Sequence, residues 1–251
     1  MTQTNSKNKL SIVIPMAGAG SRFSMAGYLQ PKPFIKIGED MMIERVLASF
    51  QNLGAEFILI LQEKFLFEQE QELKYLAQKY SVKYVTVPKL TMGAAITALA
   101  AHKAIAPNSS IIFADSDNIF SSNDIKNFLQ NVQARDLAGA LMTINSNNPC
   151  YSYAQIDKEG NLIQTKEKEV ISNHAITGLY YFKKLEDFKD AVIDLVVEGD
   201  MSKGEFYMSN VYNHLKKVTS KIGIFDIESF DCVGTPEQLN IYMEKYCARV
   251  Q

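Results

Sequence analysis

The sequence predicts an α/β fold, and three observations carry this prediction. Short apolar, β-branched runs alternate with helical patterns through the first half of the 251 residues. The runs Ile12-Val13-Ile14 and Phe57-Ile58-Leu59-Ile60-Leu61 are apolar throughout, as in strands that are covered on both faces. The second half carries closely spaced strand patterns with a turn at residues 158–161. We therefore expect a mostly parallel, Rossmann-like sheet flanked by helices, followed by a half of mixed strands.

The first half, about residues 1–120, has the strand–helix–strand order of a parallel sheet. Strands are predicted at residues 11–16, 56–62, 82–87 and 110–114, and helices between them at residues 42–51, 68–80 and 92–103. Because parallel strands end at the same edge of a sheet, the loops that follow them are expected to lie close together.

The second half, about residues 121–251, is expected to extend the sheet and to form one wall of a pocket. Its strands are predicted at residues 138–145, 153–157, 162–166 and 175–182, and its helices at residues 185–197 and 206–217. A last helix begins near Thr235-Pro236-Glu237-Gln238, which offers a Thr cap and a proline at the first helical position. No linker or repeat stands out, so we expect residues 1–251 to form one domain.

The composition excludes several classes of partner. Lys and Arg number 26 against 28 Asp and Glu, and the net charge of −2 offers no global positive field for nucleic acid or an anionic membrane. No run is long and apolar enough to span a bilayer. Three cysteines, Cys150, Cys232 and Cys247, form no metal-like pair and suit a reducing compartment, so we expect a cytoplasmic protein. The oligomeric state stays open.

A glycine-rich loop follows the first predicted strand and indicates phosphate binding. The loop is Gly18-Ala19-Gly20-Ser21-Arg22, and Pro31-Lys32-Pro33 follows shortly after it. Glycines let backbone N–H groups approach phosphate oxygens, and Arg22 and Lys32 would add positive charge. The alternatives are a tight turn with two surface cations, or a dinucleotide site, which wants a third glycine where Phe23 stands.

Two acidic segments are further candidates. Asp117 follows the strand predicted at residues 110–114, where a carboxylate suits Mg²⁺ bound to phosphate oxygens, although a carboxylate there can also cap a turn. The run Thr165-Lys166-Glu167-Lys168, taken by its composition alone, favours a solvated strand end.

Together these motifs resemble those of the sugar-phosphate nucleotidylyltransferases, a family that includes glucose-1-phosphate thymidylyltransferase. The loop with Pro31-Lys32-Pro33 is similar to the family's triphosphate signature. Further similar segments follow in the family's order over nearly the whole chain: Gly93, Ser116-Asp117-Asn118, Glu167-Lys168, residues 172–180 and Gly234-Thr235-Pro236-Glu237.

The resemblance implies a fold, an activity and a role for each segment. The fold would be nucleotidyltransferase or GT-A-like, with a nucleotide-binding half at about residues 1–120 and an acceptor-binding half at about residues 121–251. The enzyme would transfer NMP from a nucleoside triphosphate to a phosphorylated metabolite, a sugar 1-phosphate, and release pyrophosphate, making a precursor of surface polysaccharide. The implied nucleotide-binding residues are Gly18, Ala19, Gly20, Ser21 and Gly93, the catalytic residues Arg22 and Lys32, the acceptor-binding residues Glu167, Lys168 and Gly178, and the Mg²⁺ ligand Asp117.

Three other functions stay open. A cytidylyltransferase would act on a non-sugar phosphate such as phosphocholine. A GT-A glycosyltransferase would use Asp115-Ser116-Asp117 as its metal motif and consume a nucleotide sugar, but it gives Arg22 and Lys32 no terminal phosphate to bind. A non-catalytic nucleotide sensor would bind a nucleotide without releasing pyrophosphate.

The sequence departs from the family pattern at the second metal ligand. The family has an Asp two residues before the Gly-Thr pair, where this chain has Cys232, and Asp231 lies one residue earlier. A one-residue offset turns a strand side chain to the opposite face, so Asp231 can replace the missing ligand only through a bulge or irregularity. Otherwise Asp117 holds Mg²⁺ with phosphate oxygens and waters. We expect Asp231 to be the second ligand, and the soft thiol of Cys232 not to bind Mg²⁺.

Overall fold

The computed structural model describes the backbone of residues 9–250 and the side chains of residues 9–246. The side chain of Cys247, which the cysteine argument includes, lies outside this part, while Cys150 and Cys232 are free thiols. Within residues 9–250 no helix is long and apolar enough to cross a membrane.

The described residues form thirteen strands and nine α-helices. The strands are β1 (Leu10–Pro15), β2 (Lys36–Ile37), β3 (Asp40–Met41), β4 (Glu56–Gln62), β5 (Lys83–Val87), β6 (Ser110–Ala114), β7 (Asn118–Ile119), β8 (Gly139–Asn145), β9 (Ser152–Ile156), β10 (Leu162–Lys166), β11 (His174–Phe182), β12 (Ile222–Ile227) and β13 (Asp231–Cys232). The helices are α1 (Ser21–Met25), α2 (Met42–Ala48), α3 (Phe65–Glu68), α4 (Glu70–Tyr80), α5 (Ala94–Leu99), α6 (Ser122–Ala134), α7 (Leu185–Val197), α8 (Met208–Leu215) and α9 (Pro236–Val250).

The main sheet joins the two halves of the chain. In the described residues it has nine strands in the order β10-β9-β11-β6-β1-β4-β5, and β8 pairs with both β11 and β12. Strand β1 runs parallel to β4 and β6, and β4 runs parallel to β5. Strand β11 is antiparallel to β6, β8 and β9. The predicted α/β fold, with a mostly parallel sheet and a half of mixed strands, is confirmed.

Both faces of the sheet are covered by apolar packing. Along β1, Ile12 and Ile14 pack into one core cluster while Val13 packs into another, as the two-residue period of a strand requires. All three side chains are fully buried. This packing fixes the position of β1 in the sheet. The glycine loop follows β1 directly and therefore lies at the edge where the parallel strands end.

Several elements differ from the sequence prediction. Helix α6 and strand β12 were not predicted. The helix carries Ile125, Phe128 and Val132 at helical spacing on its buried side. Strand β12 pairs in parallel with β8, a long-range partner that local patterns do not reveal. The helix predicted at residues 92–103 begins at Ala94, because Gly93 has a φ of 121° and caps it.

Candidate active site

A cleft with two lobes lies at the carboxyl ends of β1 and β6. The loop lobe, of about 430 Å³, is lined by the glycine loop, Lys32 and Ser116. The sheet lobe, of about 370 Å³, is lined by Glu167, Lys168 and the middle of β11. The two lobes share four lining residues: Arg22, Ala94, Asp117 and Gly234. Molecules bound in the two lobes would therefore meet at Asp117.

The glycine loop is held by its neighbours in a fixed path. Met16 donates its N–H to the carbonyl of Ile60 at 2.8 Å, and Gln62 Nε2 donates to the carbonyl of Ala17 at 2.9 Å. Gly20 has a φ of 62°, a left-handed conformation that glycine adopts without strain. Gly18 has open space around its Cα, and Ser21 begins α1. The structure thus brings Gly18, Gly20 and Ser21 to the wall of the loop lobe, whereas Ala19 is exposed and does not line it.

Lys32 and Arg22 bring positive charge to the cleft in different ways. Lys32 Nζ forms an ion pair with Asp117 Oδ2, and each side chain is about one-fifth exposed. Arg22 lines both lobes and is exposed, and its side chain makes no hydrogen bond or ion pair with any residue that the structure describes. Gly234 makes room for Asp117, because a methyl group there would lie 2.6 Å from Asp117 Oδ2.

Glu167 and Lys168 form the polar wall of the sheet lobe. The Glu167 side chain is 5% exposed and accepts hydrogen bonds from Ser152 Oγ and, at 3.0 Å, from Ser209 Oγ. Lys168 Nζ lies 3.8 Å from Glu167 Oε1 and donates to Tyr207 Oη at 3.4 Å. The interpretation of this run as a solvated strand end is therefore wrong for Glu167.

Gly178 and Asp115 touch each other at the floor of the sheet lobe. Gly178 has a φ of 78° at a register shift between β11 and β8, and its carbonyl accepts the N–H of Asp115 at 2.9 Å. A methyl group at Gly178 would lie 2.2 Å from Asp115 Oδ2. Burial and the nearby Asp117 carboxylate raise the pKa of Asp115 to about 8.

Gly93 lies behind the loop lobe and not on its surface. A methyl group at Gly93 would lie 2.5 Å from the carbonyl oxygen of Phe206. The Phe206 backbone donates to Met92 O at 2.8 Å and accepts from Ala95 N at 3.1 Å. Gly93 therefore lets the segment before α8 close onto α5, and Ala94 is the residue of this turn that lines the cleft.

Asp231 and Cys232 face different sides of β13. Asp231 lies opposite Ile119 and Cys232 opposite Asn118 in a regular antiparallel pair with β7. Asp231 Oδ1 pairs with Lys245 Nζ at 3.3 Å and lines neither lobe, whereas Cys232 lines the sheet lobe. The expected irregularity is not seen in this strand pair, so the geometry argues against Asp231 as the second metal ligand.

The residues around Asp117 fit a cation that keeps most of its ligands as water or phosphate oxygen. Within the described side chains, no group of three or more His, Cys, Asp or Glu residues converges on one point. The buried Asn118 has an Oδ1 with no hydrogen-bond partner among the described residues. Burial, with Asp117 nearby, raises the pKa of Cys232 to about 12, which keeps it a neutral thiol. Hard oxygen donors without thiolate suit Mg²⁺.

Sequence reasoning missed the residues that hold the site's charged groups. Ser152, Ser209 and Tyr207 contact Glu167 or Lys168, yet no local pattern marks them. Within α8, Asn210 Nδ2 donates to Asp200 Oδ1 at 3.2 Å and ties the helix to the segment before it.

The fold and the cleft define a class of protein. A glycine loop at the end of a parallel strand, joined through a carboxylate to a second polar lobe, is typical of enzymes that transfer a phosphorus-containing group between two substrates. The profile of the family described as Nucleotidyl transferase matches residues 12–220. The chain belongs to the nucleotidyl transferase family. The resemblance to sugar-phosphate nucleotidylyltransferases is confirmed.

Individual relatives agree with this assignment. The bifunctional protein GlmU of Thermoanaerobacter pseudethanolicus is 21% identical over 240 residues, which cover 93% of this chain and 50% of the relative. The chain thus spans about half the length of that curated relative. The crystal structure of the nucleoside-diphosphate-sugar pyrophosphorylase from Vibrio cholerae RC9 is 25% identical, with a TM-score of 0.80 over 93% of this chain and 99% of that one. The inositol-1-phosphate CTP transferase from T. maritima shares the fold at 15% identity, with a TM-score of 0.73 over 95% and 96% of the two chains.

Proposed function

We propose that this chain transfers NMP from a nucleoside triphosphate to a sugar 1-phosphate and releases pyrophosphate. The observation that carries the proposal is the cleft itself, in which a glycine loop with two cations and a lobe with a buried carboxylate meet at Asp117. The loop lobe would take the triphosphate and the sheet lobe the acceptor. The likeness to the nucleoside-diphosphate-sugar pyrophosphorylase from Vibrio cholerae RC9 supports this choice of acceptor.

The chemistry requires positioning and charge neutralisation. An oxygen of the acceptor phosphate attacks the α-phosphorus, the bond to the β-phosphate oxygen breaks, and pyrophosphate leaves on the opposite side. No protein nucleophile is needed, which fits a described cleft without histidine. The N–H groups of Gly18, Ala19, Gly20 and Ser21 would bind the triphosphate, and Arg22 and Lys32 would neutralise the charge that develops on pyrophosphate.

The sheet lobe would bind and orient the acceptor. Two serine hydroxyls donate to Glu167 Oε2 and hold the side chain in place. Glu167 Oε1 would then accept hydrogen bonds from the hydroxyl groups of the sugar. Lys168 would bind the acceptor phosphate, and the backbone of Gly178, which lines the sheet lobe, would lie against the acceptor. Gly93 would act on the nucleotide side by shaping the turn that Ala94 presents to the cleft.

Asp117 would hold Mg²⁺, with Lys32 as its neighbour. When bound, the cation neutralises charge between the phosphates and helps to orient the α-phosphate. Both lobes reach Asp117, so a carboxylate there can serve both substrates. We place the enzyme in the cytoplasm, where nucleoside triphosphates are available, and its product among nucleotide-activated precursors of surface polysaccharide.

A pyrophosphate-release screen tests the proposed function. The full chain is incubated with Mg²⁺ and each of CTP, UTP, dTTP, GTP and ATP, crossed with hexose 1-phosphates, inositol phosphate and phosphocholine. We expect release that requires a sugar 1-phosphate and stops with EDTA. A preference for phosphocholine would instead identify the cytidylyltransferase alternative. Sugar transfer from a preformed nucleotide sugar would identify a glycosyltransferase, and nucleotide binding without release would identify a sensor.

A pair of lysine variants tests the assignment of the sheet lobe. Lys168→Met removes the proposed phosphate contact, so we expect KM for the acceptor to rise by roughly tenfold or more. Lys166→Met is the matched control, because Lys166 is exposed and lines neither lobe. Equal effects of the two variants would contradict the placement of the acceptor.

A further inference from the structure

Asp117 is the single carboxylate that both lobes share, and the position of the family's second metal carboxylate holds Cys232. Cys232 points to the sheet lobe, where a thiol is a poor ligand for a hard cation. Asp231 points to the other side of β13, toward Lys245. A second carboxylate for the cation therefore has to come from another element of the cleft or be absent.

Asp115 is an acidic side chain of the cleft that forms no direct pair with any described side chain, although the charge of Lys32 acts on it from nearby. Within the described side chains, its oxygens make no hydrogen bond and no ion pair, although it lines the sheet lobe two residues from Asp117. Glu167, by contrast, has two serine donors and a lysine. A carboxylate in a cleft without any donor requires a cation or water to satisfy it.

Two glycines on facing segments make room for the two carboxylates. A methyl group on Gly178 would lie 2.2 Å from Asp115 Oδ2, and one on Gly234 would lie 2.6 Å from Asp117 Oδ2. Only glycine fits at these two positions, because the Cβ of any other residue would overlap with a carboxylate oxygen. Asp115 and Asp117 thus each occupy space that a facing glycine leaves open beside the cleft.

Asn118 supplies a second, independent observation at the same place. It is 6% exposed, and its Nδ2 donates to Thr177 O at 2.9 Å while its Oδ1 has no partner among the described residues. The amide also packs against Gly178, since a methyl group there would lie 2.6 Å from Nδ2. Asn118 and Asp115 thus both line the sheet lobe with side-chain oxygens that no described residue engages. Amide and carboxylate oxygens are the ligands that Mg²⁺ and Mn²⁺ prefer.

We infer that Asp115, and not Asp231, supplies the second carboxylate to the divalent cation held by Asp117. The inference rests on the proposed function in one respect: nucleotidyl transfer identifies the cation as one that binds phosphate oxygens. Asn118 Oδ1, which has no partner among the described residues, would accept a hydrogen bond from a water of that cation. The loop after β6 then provides the whole protein share of the site, and Cys232 replaces a ligand that Asp115 makes unnecessary.

Binding of Mn²⁺ to the full chain, measured from the electron paramagnetic resonance signal of free Mn²⁺, tests the inference without turnover. We expect Asp115→Asn to weaken Mn²⁺ binding by roughly tenfold or more. Asp231→Asn is the matched control, with the same chemical change, and should leave the Kd unchanged. Weaker binding for Asp231→Asn, or an unchanged Kd for Asp115→Asn, would overturn the inference.

Restoring the family's carboxylate gives a second test that does not depend on Asp115→Asn being folded. If Asp115 already serves the cation, Cys232→Asp in the otherwise unchanged chain should alter Mn²⁺ affinity little. If Asp117 acts alone, the added carboxylate should tighten binding by roughly tenfold or more, which would overturn the inference. Added to Asp115→Asn, the same change should recover Mn²⁺ affinity. Because no substrate is present, a failed pyrophosphate screen would count against the proposed function and not against this result.

Discussion

At the residue scale, Arg22 and Lys32 differ in how the fold holds them. Lys32 is paired with Asp117 and partly buried, whereas Arg22 is exposed and lines both lobes. If both act on the leaving pyrophosphate, their contacts strengthen in the transition state, where charge moves onto the departing oxygen. Their contributions are then visible in kcat more than in the stability of the chain.

We expect Arg22→Ala or Lys32→Ala to lower kcat by roughly 10²–10³-fold. Arg22→Ala should leave thermal stability unchanged because the side chain has no partner among the described residues. Lys32→Ala should lower it, because Asp117 loses its counter-charge. Steady-state pyrophosphate release and thermal denaturation measure both effects. Lys36→Ala is the control, since Lys36 is exposed and lines neither lobe. A folded Arg22→Ala variant with normal kcat would show that the loop is only a turn.

At the scale of elements, the turn before α5 shows how one glycine joins two segments. Gly93 has a φ of 121°, which a side chain adopts only with strain, and the Phe206 backbone occupies the space of its Cβ. We expect Gly93→Ala to destabilise the fold by about 3 kcal/mol or more and to raise KM for the nucleotide, because Ala94 moves with the turn. Urea denaturation and initial rates measure these effects.

Gly54→Ala is the control for backbone strain without a clash. Gly54 has a φ of 64° and open space around its Cα, so the substitution should cost about 1–2 kcal/mol and leave KM unchanged. Equal losses of stability in the two variants would show that contact with Phe206 contributes nothing.

The start of α2 is held by a buried carboxylate. Glu44 is 1% exposed; its Oε2 accepts the N–H of Met41 at 2.8 Å and its Oε1 pairs with Lys79 Nζ at 2.8 Å. Burial alone would raise the pKa of Glu44, but Lys79 and the Met41 N–H outweigh it and lower the pKa below its ordinary value of 4.5. The ionised carboxylate therefore stabilises the folded state above pH 4.5, and this stabilisation is lost as the pH falls below the lowered pKa.

Glu44→Gln should reduce the free energy of unfolding by about 1–3 kcal/mol at pH 7. The difference from the unmodified chain should shrink as the pH falls below 4.5. Unfolding in urea at pH 7 and at a series of acidic pH values checks both points. Glu70→Gln, which breaks an exposed pair with Lys74, should have no measurable effect. A pH-independent difference for Glu44→Gln would contradict the charged role of this side chain.

At the scale of the whole molecule, one sheet connects the halves that the sequence suggests. Strand β11 of the second half pairs with β6 of the first, and its residues from Ala175 to Phe182 are all buried. We propose that residues 1–251 form one domain, and we expect a single unfolding transition. Far-ultraviolet circular dichroism and the fluorescence of the 12 tyrosines should give coincident curves. Two separate transitions would instead divide the chain near residue 120.

Local sequence patterns determined much of this protein. Apolar runs predict the parallel strands, because a strand covered on both faces has no polar period. The glycine loop and Asp117 are predicted at the ends of strands, and Thr235-Pro236 predicts the start of α9, which begins at Pro236. These features depend on interactions between residues that are close in the sequence, and such interactions can be predicted without knowing the fold.

The tertiary structure alone decided that Glu167 is buried and that Cys232, and not Asp231, lines the cleft. Glu167 is buried because Ser152 and Ser209 reach it from β9 and α8. Cys232 lines the cleft and Asp231 does not, because β13 pairs with β7 in a register that turns neighbouring side chains to opposite sides. Pairing register and packing join residues far apart in the chain, so their energies are absent from any local pattern.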